Sequence, residues 1–212
     1  SSDLWMNIWD MLLLPKKMYE KLTDRKSTLY IGFILVGIVD LCTFFINDFA
    51  GLFTGKSANI LFYNITLALL MIVLMGFVDV LFFTVPLFDL FKLFKRENRD
   101  TSGKTLTKVM KAYILANIIV LPINLITYMI FKCFPNLVTS LNSSYSILFF
   151  AFMLDLLISI WFSGIIARGI NTIYKFDVRL KSAVFMTIFT WSYILAEVFG
   201  FIIENWFMPL FR

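Results

Sequence analysis

The chain has 212 residues, of which 60% are hydrophobic and only 16% charged, so it lacks the polar surface that a soluble domain of this length needs to cover its core. Its mean hydropathy is +0.84, which places it in a membrane, as one compact helical domain. The net charge of +5 lies in short loops beside apolar runs and follows no nucleic-acid-binding pattern, so the expected basic-face partner is anionic lipid headgroups, with no nucleic acid.

Residues 1–28 are expected to form a cytoplasmic amphipathic helix and a basic linker. Over residues 3–20, Trp5, Ile8, Trp9, Leu12 and Leu13 follow the i, i+3, i+4, i+7, i+8 spacing of one helical face. Pro15, Lys16, Lys17 and Lys21 come next. That pattern suits a helix lying in the headgroup layer, or one packed against the bundle, and it marks Trp5, Ile8, Trp9, Leu12, Pro15, Lys16 and Lys17 as a membrane-interface or partner face. No basic stretch precedes an apolar core at the start, so no cleavable leader is expected.

Residues 29–212 read as an all-α membrane bundle of five spans, at about 29–47, 60–91, 112–131, 147–167 and 182–203. The stretch 60–111 organises the rest: an apolar run broken by Asp79 ends in Lys92, Lys95, Arg96, Arg99, Lys104, Lys108 and Lys111. Those cations place that end on the cytoplasmic side. Counting outward from it, Lys16, Lys17, Lys21, Arg25 and Lys26, and then Arg168, Lys175, Arg179 and Lys181, also fall inside. Only Lys56, Lys132 and Arg212 stay outside, which predicts the N-terminus in and the C-terminus out. The turn-forming residues of 48–59 and 132–146 and the Asp100-Thr101-Ser102-Gly103 breaker mark loops, and Pro122 is expected to kink the third span.

The opening Leu4-Trp5, the segment Leu14-Pro15-Lys16-Lys17-Met18-Tyr19 and the five apolar runs around a basic central loop together resemble the Yip1-domain family as it occurs in bacteria. The resemblance covers nearly the whole chain and rests on layout and one short motif. It implies a short cytoplasmic helix ending in a proline turn, five spans, and a non-enzymatic accessory or scaffold protein with no catalytic residues. Such a protein would bind a membrane partner such as an ABC-type exporter, in toxic-peptide resistance or envelope homeostasis. The Asp-Leu-x-Gly-Pro motif that eukaryotic members often carry is absent. That departure, with the basic central loop, points away from vesicle traffic and toward a bacterial plasma membrane.

Chemistry, if the chain has any, rests on Asp40, Asp79, Asp155 and Glu197. A carboxylate at mid-bilayer costs at least ~2.5–3.5 kcal/mol, so each should face the bundle interior or water. Asp40 shares a helical face with Thr43 and Asn47, Asp155 with Ser159 and Ser163, Asn117 with Asn124, and Thr190 with Glu197. One reading is hydrogen bonding between helices. The other is a proton- or cation-linked transporter or channel through Asp40, Asp79 and Asp155, which have no mid-span lysine or arginine to neutralise them. Gly37-Ile38-Val39-Asp40 and Gly76-Phe77-Val78-Asp79 are similar, with each glycine placed to let helices approach closely. They lack the Gly-x-Gly-Asp sequence of intramembrane aspartyl proteases.

Other chemistries find no residues to carry them. Histidine is absent, which removes the commonest metal ligand and the usual general base, and no Gly-x-x-x-x-Gly-Lys-Ser/Thr phosphate loop occurs. The expected cofactor and metal complement is none. Gly103-Lys104 reads as a turn. A Cys42–Cys133 disulfide would need both residues near the outer face, and Cys42 falls within the first span.

Overall fold

Where no water reaches the backbone, every N–H and C=O must be satisfied within the chain, and helices achieve this locally. The computed structural model describes residue 10 and residues 12–45, 49–95, 102–133 and 145–211. Expectations placed on Trp5, Ile8, Trp9 and Asn47 lie outside those residues. The main elements are α1 (Lys16–Glu20), α2 (Ser27–Phe45), α3 (Phe49–Phe53), α4 (Ala58–Lys95), α5 (Ser102–Cys133), α6 (Tyr145–Tyr174) and α7 (Val178–Ile202). A π-helical turn, Ile203–Phe207, and a 3-10 turn, Met208–Leu210, continue α7.

Among the described residues, four helices are long and apolar enough to cross a membrane: Ala58–Phe94, Thr105–Ile126, Phe152–Tyr174 and Val178–Leu210. Ser27–Thr43 is a shorter apolar helix. Between 22% and 44% of each spanning window is buried within the chain, so most of each helix shows its apolar side chains to its surroundings. Phe62, Leu69, Leu70, Val73 and Phe77 form such an exposed row along α4.

The helices run longer, and the loops shorter, than charge alone suggests. Lys92 and its neighbours through Lys95 finish α4, and Ser102 through Lys111 open α5, Gly103 and Lys104 included, so much of the expected central loop is helix. The reason is periodicity: Leu106, Val109, Met110 and Tyr113 continue the buried face of α5 beneath its cations. Lys108 pairs with Asp24 at 3.6 Å, and the Lys111 ammonium donates to the Thr23 carbonyl at 2.5 Å, which straps the basic linker to this end of α5. Between α6 and α7 only Lys175, Phe176 and Asp177 remain outside helices. There Lys175 takes a left-handed φ of 53° at the α6 terminus while its N–H bonds to the Asn171 carbonyl. The expected loop at 48–59 likewise contains α3. Helices α4 and α5 continue through Pro86 and Pro122.

The N-terminal stretch is not one helix. Residues 12–13 are helical, Leu14 has φ 65°, and Pro15 starts α1 with its carbonyl accepting from the Met18 N–H at 2.9 Å. Proline has no N–H to give the preceding turn, and its ring excludes the residue before it from the helical region, which forces the break.

Helix α2 packs on α4 and α5, α5 on α4 and α6, α6 on α7, and α7 returns to α4. One buried cluster unites Val36, Val80, Phe83, Tyr113, Ile165 and Ile188 from α2, α4, α5, α6 and α7. Phe91, Tyr174 and Phe176 close its basic end, with the Tyr174 and Phe176 rings stacked at 5.2 Å. A smaller cluster at the other end joins Leu41 of α2, Met71 and Met75 of α4 and Ile203 of the π-turn.

Candidate functional site

The close approach of α2 and α4 sets the site. A Cβ on Gly37 would collide with the Ile72 carbonyl, and one on Gly76 with the Phe33 carbonyl, so the two helices touch backbone to backbone here. The contacts run antiparallel, Phe33 and Gly37 against Gly76 and then Leu41 against Met71 and Ala68. Each aspartate lies three residues after its glycine, so Asp40 and Asp79 leave the crossing in opposite directions along the bundle. Their Cα positions are offset by roughly 9 Å of helix rise.

Both face one cavity of about 260 Å³ enclosed by α2, α4, α5, α6 and α7. Its polar lining comes from Asp40, Thr43, Asp79, Asn117, Asn124, Asp155, Ser159 and Ser192. The polar faces read on α2, α5 and α6 therefore converge. Asp79 is 6% exposed and accepts a 2.7 Å hydrogen bond from the Tyr113 hydroxyl. Tyr113 stacks on Phe83 with ring centroids 3.9 Å apart and meets Phe162 edge-on at 6.0 Å. These rings form the floor on the Asp79 side. Asn117 donates to the Tyr113 carbonyl one turn back at 3.2 Å. Asp40 lies farther along, its Oδ2 buried with no hydrogen-bond partner and its carboxyl within electrostatic reach of Asp79. Asp155 stands at the exposed rim.

Helix α7 departs from the expected pattern. Its cavity face is Ser192, Leu195, Ala196 and Phe199, with Ser192 and Ser163 hydroxyls 3.3 Å apart. Thr190 and Glu197 are both exposed, Thr190 toward a separate groove beside Pro86 and Glu197 within electrostatic reach of Asp155 at the rim. Tyr113, which sequence reading passed over, carries the Asp79 contact; its place one turn before Asn117 on the Asn117/Asn124 face was the available signal. Asn64 is buried and donates to the Leu52 carbonyl at 2.8 Å, which ties α4 to α3. Among the described residues no group of three His, Cys, Asp or Glu side chains could hold a metal ion. Cys42 is a free thiol.

The N-terminal candidates sit elsewhere. Tyr19 is 1% exposed and its hydroxyl donates to the Ile165 carbonyl at 2.9 Å, in the space that Gly169 leaves open. Burial raises the Tyr19 hydroxyl above its ordinary pKa, against a smaller opposing pull from Arg168, so it stays a donor. The Trp161 indole donates to the Leu12 carbonyl at 2.6 Å, and Arg168 pairs with Asp10. Leu12, Lys16 and Lys17 are exposed and Pro15 half-buried, so this segment packs on α6 while Leu12 and Met18 each keep part of their surface open.

With only helices and turns among the described residues, four of the helices of membrane length, and a carboxylate-lined cavity between them, the chain belongs to the integral membrane proteins. Comparison with protein-family models, with curated proteins and with solved structures returned no match.

Proposed function

We propose that this is a non-enzymatic membrane protein of Yip1 type that acts by binding another membrane protein, such as an exporter, as its accessory or scaffold. In this reading α2 is a fifth span, the N-terminus and both basic connections lie in the cytoplasm, the C-terminus lies outside, and the membrane is a bacterial plasma membrane. The observation that carries the reading is the segment Leu14-Pro15-Lys16-Lys17-Met18-Tyr19. The motif behind the resemblance forms a proline turn and is locked to α6 through the buried Tyr19. The fold thus holds this short helix in a defined pose at the basic end, with Met18 exposed to a neighbour. Gentle solubilisation of the tagged protein from its native membrane, followed by mass spectrometry, is expected to recover a stoichiometric membrane partner. Recovery of the chain alone or with copies of itself would count against this reading.

The unpartnered Asp40 Oδ2 in the shared cavity favours a second reading, a proton- or cation-linked pathway. Here Asp155 would admit the ion at the rim, Asp40 and Asp79 would pass it inward, and Tyr113 with Phe83 would close the path. Reconstituted protein should then move ions in liposomes, and Asp40→Asn should stop the flux at unchanged abundance.

A further inference from the structure

A second, larger concavity of about 820 Å³ lies between the N-terminal segment, α6 and α7, and it has two chemically different ends. Along α6 its wall changes from Leu157, Ile160 and Trp161 through Gly164 and Ala167 to Arg168, Asn171 and Lys175. At about 1.5 Å per residue, Leu157 to Lys175 spans roughly 27 Å, enough for the ~20–23 Å depth of one leaflet with its headgroup layer. Leu12, Leu13 and Phe185 widen the apolar part, whereas Lys16 and Lys181 join the basic end. Two carboxylates oppose those cations, Glu20 on the rim and Asp10 paired with Arg168. The rim stays positive after both are counted.

We infer that this groove holds one anionic glycerophospholipid from the leaflet at the basic end of the bundle. The phosphate would sit among Lys16, Lys175 and Lys181, and an acyl chain would run down past Ala167 and Gly164 to Leu157. Three observations select this occupant. The charge is complementary to a phosphodiester and is confined to one end. The apolar end is open laterally, with Leu157 63% and Ile160 40% exposed, so a chain can enter from the bilayer. The Asn171 Oδ1 is buried at the junction with no hydrogen-bond partner, an acceptor matched to a hydroxyl or ammonium donor on a lipid headgroup. A free phosphate would use the basic end alone and leave the apolar half empty.

The test is native mass spectrometry of the purified full chain, titrated with 1-palmitoyl-2-oleoyl phosphatidylglycerol and, separately, with the matching phosphatidylcholine. One equivalent of phosphatidylglycerol should be retained in preference to phosphatidylcholine. Lys175→Gln with Lys181→Gln should weaken retention on the order of fivefold for each cation removed. Both lysines are exposed, so the bundle should survive the change. Ile160→Trp, which narrows the apolar half and leaves the charge unaltered, should weaken retention as well. Equal retention of the two lipids, or insensitivity to both sets of substitutions, would overturn the inference. Displacement of the lipid by millimolar inorganic phosphate would also overturn it, because the basic end alone would then account for binding.

Discussion

At the scale of single residues, the contrast between Asp79 and Asp40 matters most. Asp79 is buried with a specific donor, and Asp40 has a buried oxygen without one. The Tyr113–Asp79 hydrogen bond should therefore appear as a coupling energy. A double-mutant cycle with Tyr113→Phe and Asp79→Leu, read from unfolding in mixed micelles, is expected to give about 0.6 kcal/mol and no more than ~1.7 kcal/mol, the range found for hydrogen bonds between membrane helices. Asp40→Asn should leave the melting temperature unchanged or higher, since it removes a carboxyl whose burial nothing offsets. A fall in melting temperature for Asp40→Asn as large as for Asp79→Asn would mean that Asp40 is structural. The convergence of Asp40, Asn117 and Asp155 was legible in the sequence, because i+3 and i+4 spacing puts polar groups on one helical face and lipid drives that face inward. The α7 face was not legible: Glu197 carries the charge, yet Ser192, Leu195 and Phe199 line the cavity while Glu197 stays exposed, within electrostatic reach of Asp155 at the rim.

At the scale of helices, two contacts fix the arrangement. The Gly37–Gly76 crossing tolerates no side chain, so Gly37→Ala or Gly76→Ala should cost about 1–3 kcal/mol through forced separation of α2 and α4. Gly51→Ala in α3, where an added Cβ meets nothing within 4 Å, should be neutral or slightly stabilising. Thermal melts of the three variants in one detergent check this, and equal losses would refute the crossing. The second contact is Tyr19 on α6. Tyr19→Phe keeps the ring and loses the bond to the Ile165 carbonyl, a cost of about 1 kcal/mol. Tyr19→Ala also opens a cavity and should cost ~3–5 kcal/mol. The glycine crossing was readable from the paired Gly-x-x-Asp sequences. The Tyr19 anchor was not, because its partner lies 146 positions away and periodicity carries no long-range information.

At the scale of the molecule, hydropathy located the long helices, since an apolar run of about 20 residues has few other fates. Cations are poor markers of helix ends in this chain, as Lys92 and Lys95 within α4 show. Lysine and arginine extend their charged heads to water while their stems cover a helix surface, so a helix continues well beneath them. Helix α4, with 38 residues, is about 57 Å long, against a hydrocarbon core of ~30 Å, and its Lys92 and Lys95 end projects beyond the bilayer or tilts. The proposed five-span orientation predicts a labelling pattern. With the native cysteines replaced by serine, an impermeant maleimide should reach Ser57→Cys in intact cells, and Val178→Cys only after permeabilisation. The reverse pattern would invert the topology.

Lys175 gives the molecule a lever on which two properties can be set apart. A lysine holds the left-handed position at the end of α6, where glycine would relieve roughly 1–2 kcal/mol of backbone strain. Lys175→Gly should therefore yield a hardier protein with one cation fewer at the groove. Such a variant would serve as a stabilised reference form for biophysical work. Any ligand whose grip weakens in it would be reporting the missing charge, because the scaffold beneath would be firmer than before.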